Sequence, residues 1–536
     1  MAPPPSVSHR LSIAAFLLAA LPCAAALHDD IDALIAVKAG APRAVEAASD
    51  AEFLRRAWLD FEGGAPTAAE ARAFLDDAAP DKRERLLEKL FAAPRFAERM
   101  ADAFHVMLME RRGTDPAWRA WLVAAFQTNK PWDTMVKEML APDFLDEQQR
   151  GAGFFMTRRL EKVGQQDTDY PGLTRDVGRL FMGVDLQCAQ CHSHLTVKDY
   201  KQQDFHGLLV VFQNAKLQPA DERRKTPWLS EGALTARAEF VSVLTKKEGA
   251  TGPRVPFGEE VELPAFTGDE AWLVKADRKT KEAGTPRFSP LHEIALRLPS
   301  PGTPLFARNI ANRVWWLLMG RGLVEPLDLQ HSANPPSHPE LLALLENELV
   351  AHRFDLRWLL RELALTQTYQ RAGAASDYSA SERHLTSEQQ LRAFLIATGE
   401  MDRVQSNAKA DEQEDTRRYT FADFDKAFQA ALANPPREPE LRATPSLRSA
   451  LFFRNSDQVQ WALRPRAGNL LDRLPRLGDP AAMADELYLS VLTRRPDADE
   501  QATFATWLEK HGADPAKAIG DFAWALFSSS EFFTNH

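Results

Sequence analysis

The chain has 536 residues, too many for one ordinary hydrophobic core, so two or more domains are expected. A composition of 45% hydrophobic and 26% charged residues is that of a globular protein. The net charge of -10 and the pI near 5.8 argue against a phosphate-backbone partner, which would call for a basic face, so no nucleic acid is expected.

In chain order, residues 1–26 read as a cleaved export signal. His9 and Arg10 precede the apolar run LSIAAFLLAAL, and Ala24-Ala25-Ala26 offers small residues to a signal peptidase. The run is shorter than the roughly 20 apolar residues of a permanent anchor. Cys23 follows Ala20-Leu21-Pro22, a poor lipobox, so no lipid is expected on it. No later stretch is long and apolar enough to span a membrane, which predicts a periplasmic or secreted protein. Removing Cys23 leaves only Cys188 and Cys191, too few for a disulfide scaffold.

The predicted fold class is mainly α, with two helical domains joined by a Pro/Gly-rich segment that carries a small β insertion. The first domain spans 27–214. In SDAEFLRRAWLDFEG, the residues Phe53, Leu54, Ala57, Trp58 and Phe61 share one helical face. Thr67 and Glu70 form a capping box for the next helix. Phe96, Met100, Ala103 and Met107 line a further helix that Gly113 is placed to stop. LTRDVGRLFMGVDLQ is expected to run helically into residues 188–192. Residues 215–290 are the linker or insertion, where AEFVSVLT and EEVELPAF read as strands separated by the turn-rich KKEGATGPRVPFG. The second domain spans 291–536. There PLFARNIANRVWWLLMGRG predicts a helix closed by glycine, Ser337 and Glu340 a capping box, and DELYLSVLTRRPDADEQATFATWLEKH a helical hairpin turned at Pro496.

The chemistry-bearing stretch is LQCAQCHSHLTVKDYKQQDFHG, residues 186–207. C-x-x-C-H is the attachment signature of c-type haem: two thiols for the vinyl groups and an adjacent imidazole for the iron. Cys188 and Cys191 would carry the thioethers and His192 the iron. Three other uses of the motif stay open: a zinc or non-haem iron site on Cys188, Cys191, His194 and His206, a redox disulfide, or a structural remnant of either. His105, His206, Met156 and Met182 are candidates for a sixth iron ligand.

At these residues the sequence resembles a two-part secreted family abundant in planctomycetes. Its first part is a cytochrome-c-like domain of the second type (domain of unknown function 1549) and its second a planctomycete-specific domain (domain of unknown function 1553). The resemblance rests on FLRRAWLDFEGGAPTAAEARAFL, LFAAPRFAERMADAF, NKPWDTMVKEML and FMGVDLQCAQCHSH with KQQDFHGL. In the second part it rests on PLFARNIANRVWWLLMGRGLVEPLD, NPPSHPELLALL, TQTYQ, LYLSVLTRRP and ALFSSSEFFTNH. The family commonly continues with His-x-His, then Pro-aromatic-Asp and Asp-Tyr-Tyr. Here His192 and His194 fit, whereas Leu195-Thr196-Val197 and Asp204-Phe205-His206 depart from it. Retention of His194 keeps a non-haem metal in view, because a plain haem motif does not require it.

Arg308, Asn312 and Arg313 share one face of the helix predicted over 304–318. That face either contacts an anion, such as a haem propionate or a substrate, or pairs with acidic residues between the domains. If the second domain helps to build the site, this helix is expected to pack near His192. The functional expectation is an exported haem c protein for electron transfer or redox sensing in the cell envelope, with a redox partner protein there. The alternatives are a non-haem metal-dependent hydrolase or lyase acting on exported polysaccharide, and a non-catalytic envelope scaffold.

Overall fold

The apolar face of SDAEFLRRAWLDFEG forms the helix Asp50–Phe61, closed at its start by a reciprocal capping box between Ser49 and Glu52. In the computed structural model, residues 26–39, 46–277, 279, 282–373, 379–406, 419–439, 447–511 and 513–535 are described. The predicted export signal and Cys23 lie outside them. Phe53, Leu54, Ala57, Trp58 and Phe61 are all buried, as their spacing predicts. Buried on the same helix are Arg55 and Arg56, which no periodicity rule singles out. Their guanidinium groups donate to main-chain carbonyls far along the chain, Arg55 to Phe532 at 2.9 Å and Arg56 to Arg371 at 2.9 Å. Through Arg55 the helix Asp50–Phe61 thus anchors the C-terminal end, and through Arg56 the segment at Arg371.

The fold is mainly α, with short two-stranded sheets in the insertion and another between Arg383–His384 and Thr534–Asn535. Thr67 and Glu70 cap the helix Ala68–Leu75 as predicted, and Gly320 closes Pro304–Met319 in the left-handed conformation. Pro480–Leu492 and Ala498–His511 form the predicted hairpin around Pro496. No helix among the described residues is long and apolar enough to cross a membrane.

Four local expectations are corrected. The helix Pro94–Met109 stops at Glu110, in the left-handed region at φ 46, rather than at Gly113; the Glu110 carboxylate is drawn into a buried ion-pair network described below. The helix Pro339–Ala351 has His338, not Ser337, at its N-cap, with no side-chain cap bond. Pro339 occupies the first helical position, which shifts the start one residue beyond the serine's reach. EEVELPAF makes only an isolated bridge between Arg254 and Glu260, because Pro253, Pro256 and Pro264 remove ladder donors around it. The partner of the strand Ala238–Val241 is instead Glu248–Thr251, from within the stretch read as turns. Finally, the helix Tyr170–Met182 ends at Gly183 (φ 68) and does not continue into residues 188–192.

The hydrophobic core runs through the junction of the two halves. Trp132 packs against Phe181 of the first half and stacks on Phe306 of the second, at 6.5 Å and 8° between ring planes. One buried cluster contains residues of both halves, among them Leu27, Leu180, Leu318 and Leu363, and a second gathers around Phe394, Phe428, Trp461 and Phe527. At the same junction a network of buried charge holds the halves in register. Arg179 pairs with Glu110 at 2.6 Å, Asp176 at 3.0 Å and Asp328 at 3.2 Å. Arg159 and Arg112 pair with Asp176, and Arg313 closes the network on Asp328. Glu110 and Asp176 belong to the first half and Asp328 to the second, so the second half supplies both an acid and an arginine.

Burial pushes the Asp176 carboxyl up, but Arg159, Arg112 and Arg179 outweigh it and hold its pKa at about 2, below the usual 3.8. A carboxylate lowered on folding stabilises the fold above its unfolded pKa, here by about 2 kcal/mol. That stability is lost as pH falls from about 4 towards 2. Acid titration followed by circular dichroism is expected to show unfolding in this window, and Asp176→Asn to be less stable at pH 7 with a flatter acid limb. An acid limb unchanged by the substitution would show that Asp176 does not couple to folding.

Candidate functional site

Gly183 ends the helix Tyr170–Met182 and starts the loop that carries the cysteines. Its left-handed φ and its close neighbours both demand glycine: a Cβ there would lie 2.7 Å from the Gln330 side-chain amide and 2.8 Å from the Asn309 oxygen. Five residues on, Cys188–Gln190 form a single 3-10 turn, in which Cys191 N–H and His192 N–H both donate to the Cys188 carbonyl. Because residues i and i+3 eclipse in this geometry, Cys188 and Cys191 project from the same side. Both thiols are free and exposed.

Three neighbours hold the turn by its polar groups. Arg175 donates to the Gln190 side-chain oxygen at 3.1 Å, and Val243 N–H donates to the Cys191 carbonyl at 3.0 Å. His206 Nε2 donates to the Gln190 carbonyl at 3.2 Å while its ring stacks on Phe240 at 4.7 Å. Burial pushes the His206 pKa down, keeping it neutral in this role.

The three local histidines differ in which nitrogen they leave free. His192 Nδ1 faces the Ser193 carbonyl at 2.8 Å, which fixes the proton on that nitrogen and leaves the Nε2 lone pair open. His194 is the reverse: its Nδ1 accepts from Val197 N–H at 2.9 Å, so in the neutral ring its lone pair is spent on the turn that follows. His206 spends its Nε2 proton on Gln190. Among the described residues no group of three or more His, Cys, Asp or Glu side chains is arranged to share a metal ion. Cys188, Cys191, His194 and His206 therefore form no ready tetrahedral set. The residues present do fit the covalent part of a haem c site, which asks for two thiols on one side and one imidazole with a free Nε2. Exposed Leu195, Val241, Val243 and Leu244 add apolar surface beside them.

Other candidate ligands are placed elsewhere. His105 accepts from the Trp118 indole at 3.0 Å, and burial lowers its pKa to about 4. Met156 and Met182 are fully buried in the main core.

The second half braces the loop at both ends. Ahead of the cysteines, Gln330 N–H donates to the Gly183 carbonyl at 2.9 Å, and Val184 bridges Leu329. Beyond them, the Tyr200 hydroxyl donates to the Gln330 carbonyl at 3.1 Å and Ser332 N–H to Asp199 at 2.6 Å. His194 N–H donates to the Tyr200 carbonyl at 2.9 Å, passing this support back to the motif. The helix Pro304–Met319 packs along Tyr170–Met182, with Asn309 donating to the Leu180 carbonyl at 2.8 Å. Its arginines do not reach the cysteine turn: Arg313 is buried against Asp328 and donates to the Arg179 carbonyl at 2.9 Å, and Arg308 pairs with Glu346 at 2.8 Å. Sequence reasoning passed over Tyr200, Gln330 and Arg179. Nothing in the spacing of residues 328–334 marks them as a brace.

Two family profiles match the chain. PSCyt2, a protein of unknown function (DUF1549), matches residues 30–217, and PSD1, a protein of unknown function (DUF1553), matches residues 292–508. No curated protein and no solved structure matches it.

The exposed turn makes a direct prediction about thiol chemistry. In reduced, haem-free protein, Cys188 and Cys191 are expected to react completely with an aromatic disulfide reagent within minutes without denaturant. A titre that appears only after unfolding would place the thiols inside the fold and contradict the geometry.

Proposed function

Because the chain belongs to the two-part family in which a PSCyt2 (DUF1549) domain precedes a PSD1 (DUF1553) domain, we propose that it is an exported protein that binds haem c for electron transfer or redox sensing in the cell envelope. The observation that carries this reading is the single-sided turn: two free thiols three residues apart, followed by the one local imidazole with an open Nε2. Each thiol can add across one vinyl group, sulfur to one carbon and hydrogen to the other, with no external oxidant. Cys188 and Cys191 would hold the group covalently and His192 Nε2 would face the iron. A haem so held supplies a one-electron iron couple, tuned by its axial ligand and by burial.

The chain's own residues orient and present the motif. The Ser193 carbonyl sets the His192 tautomer and ring orientation, the arrangement that raises ligand basicity in metal sites. His206 and Val243 hold the turn's backbone and Arg175 holds the Gln190 side chain, so that the thiols stay outward. Leu195, Val241, Val243 and Leu244 leave apolar surface beside the turn, suited to the transient approach of a redox partner protein. Export belongs to this reading, since residues 1–26 read as a leader and haem of this type is attached outside the cytoplasm. A non-haem hydrolase or lyase on Cys188, Cys191, His192 and His194 has less support, because His194 already commits its lone pair to Val197.

Co-expression with cytochrome c maturation machinery is expected to yield about one haem per chain that survives denaturing electrophoresis. Cys188→Ala with Cys191→Ala should abolish the haem stain. His192→Ala should keep the stain and shift the absorption spectrum by removing the proximal ligand. A colourless chain carrying stoichiometric zinc or non-haem iron would overturn the reading.

A further inference from the structure

A cleft of about 740 Å³ opens next to the cysteine loop, where the two halves and the insertion meet. Lys198 and Lys201 line it from the first half, Arg254 and Phe257 from the insertion, and Arg308 and Gln330 from the second half. Cys188, Cys191 and His192 do not line it.

Three observations set this cleft apart from a packing defect. The first is charge. Four cationic side chains from three segments converge on one concavity. Lys198 and Lys201 are exposed, Arg308 stays 39% exposed at its side chain despite its pair with Glu346, and Arg254, though engaged by the Gly258 carbonyl and Glu260, keeps a buried Nε with no hydrogen-bond partner. The second is Gln330. Its residue is only 4% exposed, and neither its side-chain NH2 nor its carbonyl oxygen has a partner. Its backbone, by contrast, is fully engaged by Gly183 and Tyr200. A buried amide with both ends unmet is uncommon in a folded interior and calls for an explanation.

The third is Phe257. It adopts φ 66, a conformation that bulky L-residues rarely take. The buried Asp204 carboxylate holds it there by accepting its backbone N–H at 3.1 Å. Its ring packs on Tyr200 at 6.2 Å and remains 41% exposed. Strained backbone that keeps an aromatic ring open to a cleft is the kind of feature that clusters at ligand sites. A second depression of about 370 Å³ shares Phe257, Glu259 and Leu305 with the first, so the concave surface continues past the ring.

We propose that this cleft binds an anionic oligosaccharide of the uronate type. The Phe257 ring offers an apolar platform for the C–H face of a pyranose. Lys198, Lys201 and Arg308 attract and bind the carboxylates, and the unpartnered Gln330 amide, packed beside Gly183, would turn outward to meet a hydroxyl. Asp199, Asp204 and Glu259 also line the cleft. They disfavour a polyphosphate by repulsion, yet can accept from sugar hydroxyls. Mixed charge with planar polar groups and one open aromatic face therefore selects a hydroxylated ring bearing isolated charges. The site is distinct from the cysteine turn, and the inference does not rest on haem.

The test is calorimetric titration of the full mature chain with trigalacturonate, with neutral cellotriose and with inorganic phosphate. Trigalacturonate is expected to bind saturably, cellotriose about tenfold or more weakly, and phosphate alone not at all. Phe257→Gly removes the platform while relieving the left-handed strain, so it should keep the melting temperature and weaken binding by about tenfold or more. Lys201→Gln should weaken binding and reduce its salt dependence. Absence of saturable trigalacturonate binding by the folded chain would overturn the proposal. So would equal affinity in wild type, Phe257→Gly and Lys201→Gln, or tighter binding of phosphate than of the uronate.

Discussion

Buried charge across the junction of the two halves is the constraint on which the rest of the structure depends. Arg112, Arg159, Arg179 and Arg313 meet Glu110, Asp176 and Asp328, of which Arg112, Arg179 and Asp328 are half-buried and the rest buried. Each of these groups would cost several kcal/mol to bury alone, and removing one partner from such a set is expected to cost about 3–5 kcal/mol. The desolvation is offset only when all members are present. Because Asp328 and Arg313 come from the second half, the first half on its own would leave Arg179 short of a carboxylate, while Glu110 and Asp176 keep their arginines. Shared apolar packing, such as Trp132 on Phe306, brings the halves together without fixing their register; the directional ion pairs and hydrogen bonds do that.

That register decides where the cysteine turn sits. Asp328 begins the segment whose next residues, Leu329, Gln330 and Ser332, bond to Val184, Gly183, Tyr200 and Asp199. The loop is pinned at both ends by the second half and supported beneath the turn by Arg175, His206 and Val243. Rigid ends and an outward middle suit the proposed attachment of a group to the two thiols. The same junction creates the cleft beside Phe257, so two surfaces of different chemistry follow from one docking geometry.

Much of the helical frame was legible because burial on one face imposes a 3.6-residue period. Phe53, Leu54, Ala57, Trp58 and Phe61 follow it, as does the capping pair Thr67 and Glu70. The motif itself was legible because C-x-x-C-H is a local pattern of fixed residue types at fixed spacing. What escaped was non-local. Glu110 ends a helix early and its carboxylate pairs with Arg179, far along the chain, which no local rule encodes. Strand Glu248–Thr251 reads as turn because its only marker is its pairing with Ala238–Val241. Whether His194 is a ligand candidate hinges on one hydrogen bond from Val197, which composition cannot report. Arg308 and Arg313 read as one face, but five residues place them about 140° apart around the helix, and packing turns one to Glu346 and the other to Asp328.

The central claim is that charge pairing from the second half fixes the loop bearing the cysteines. Hydrogen–deuterium exchange on the full chain, comparing wild type with Asp328→Asn, tests it most directly. The account predicts faster exchange confined to residues 183–204 and 328–334, with the helix Asp50–Phe61 unchanged. Unaltered protection of residues 183–204 in a variant whose 328–334 segment has loosened would contradict it.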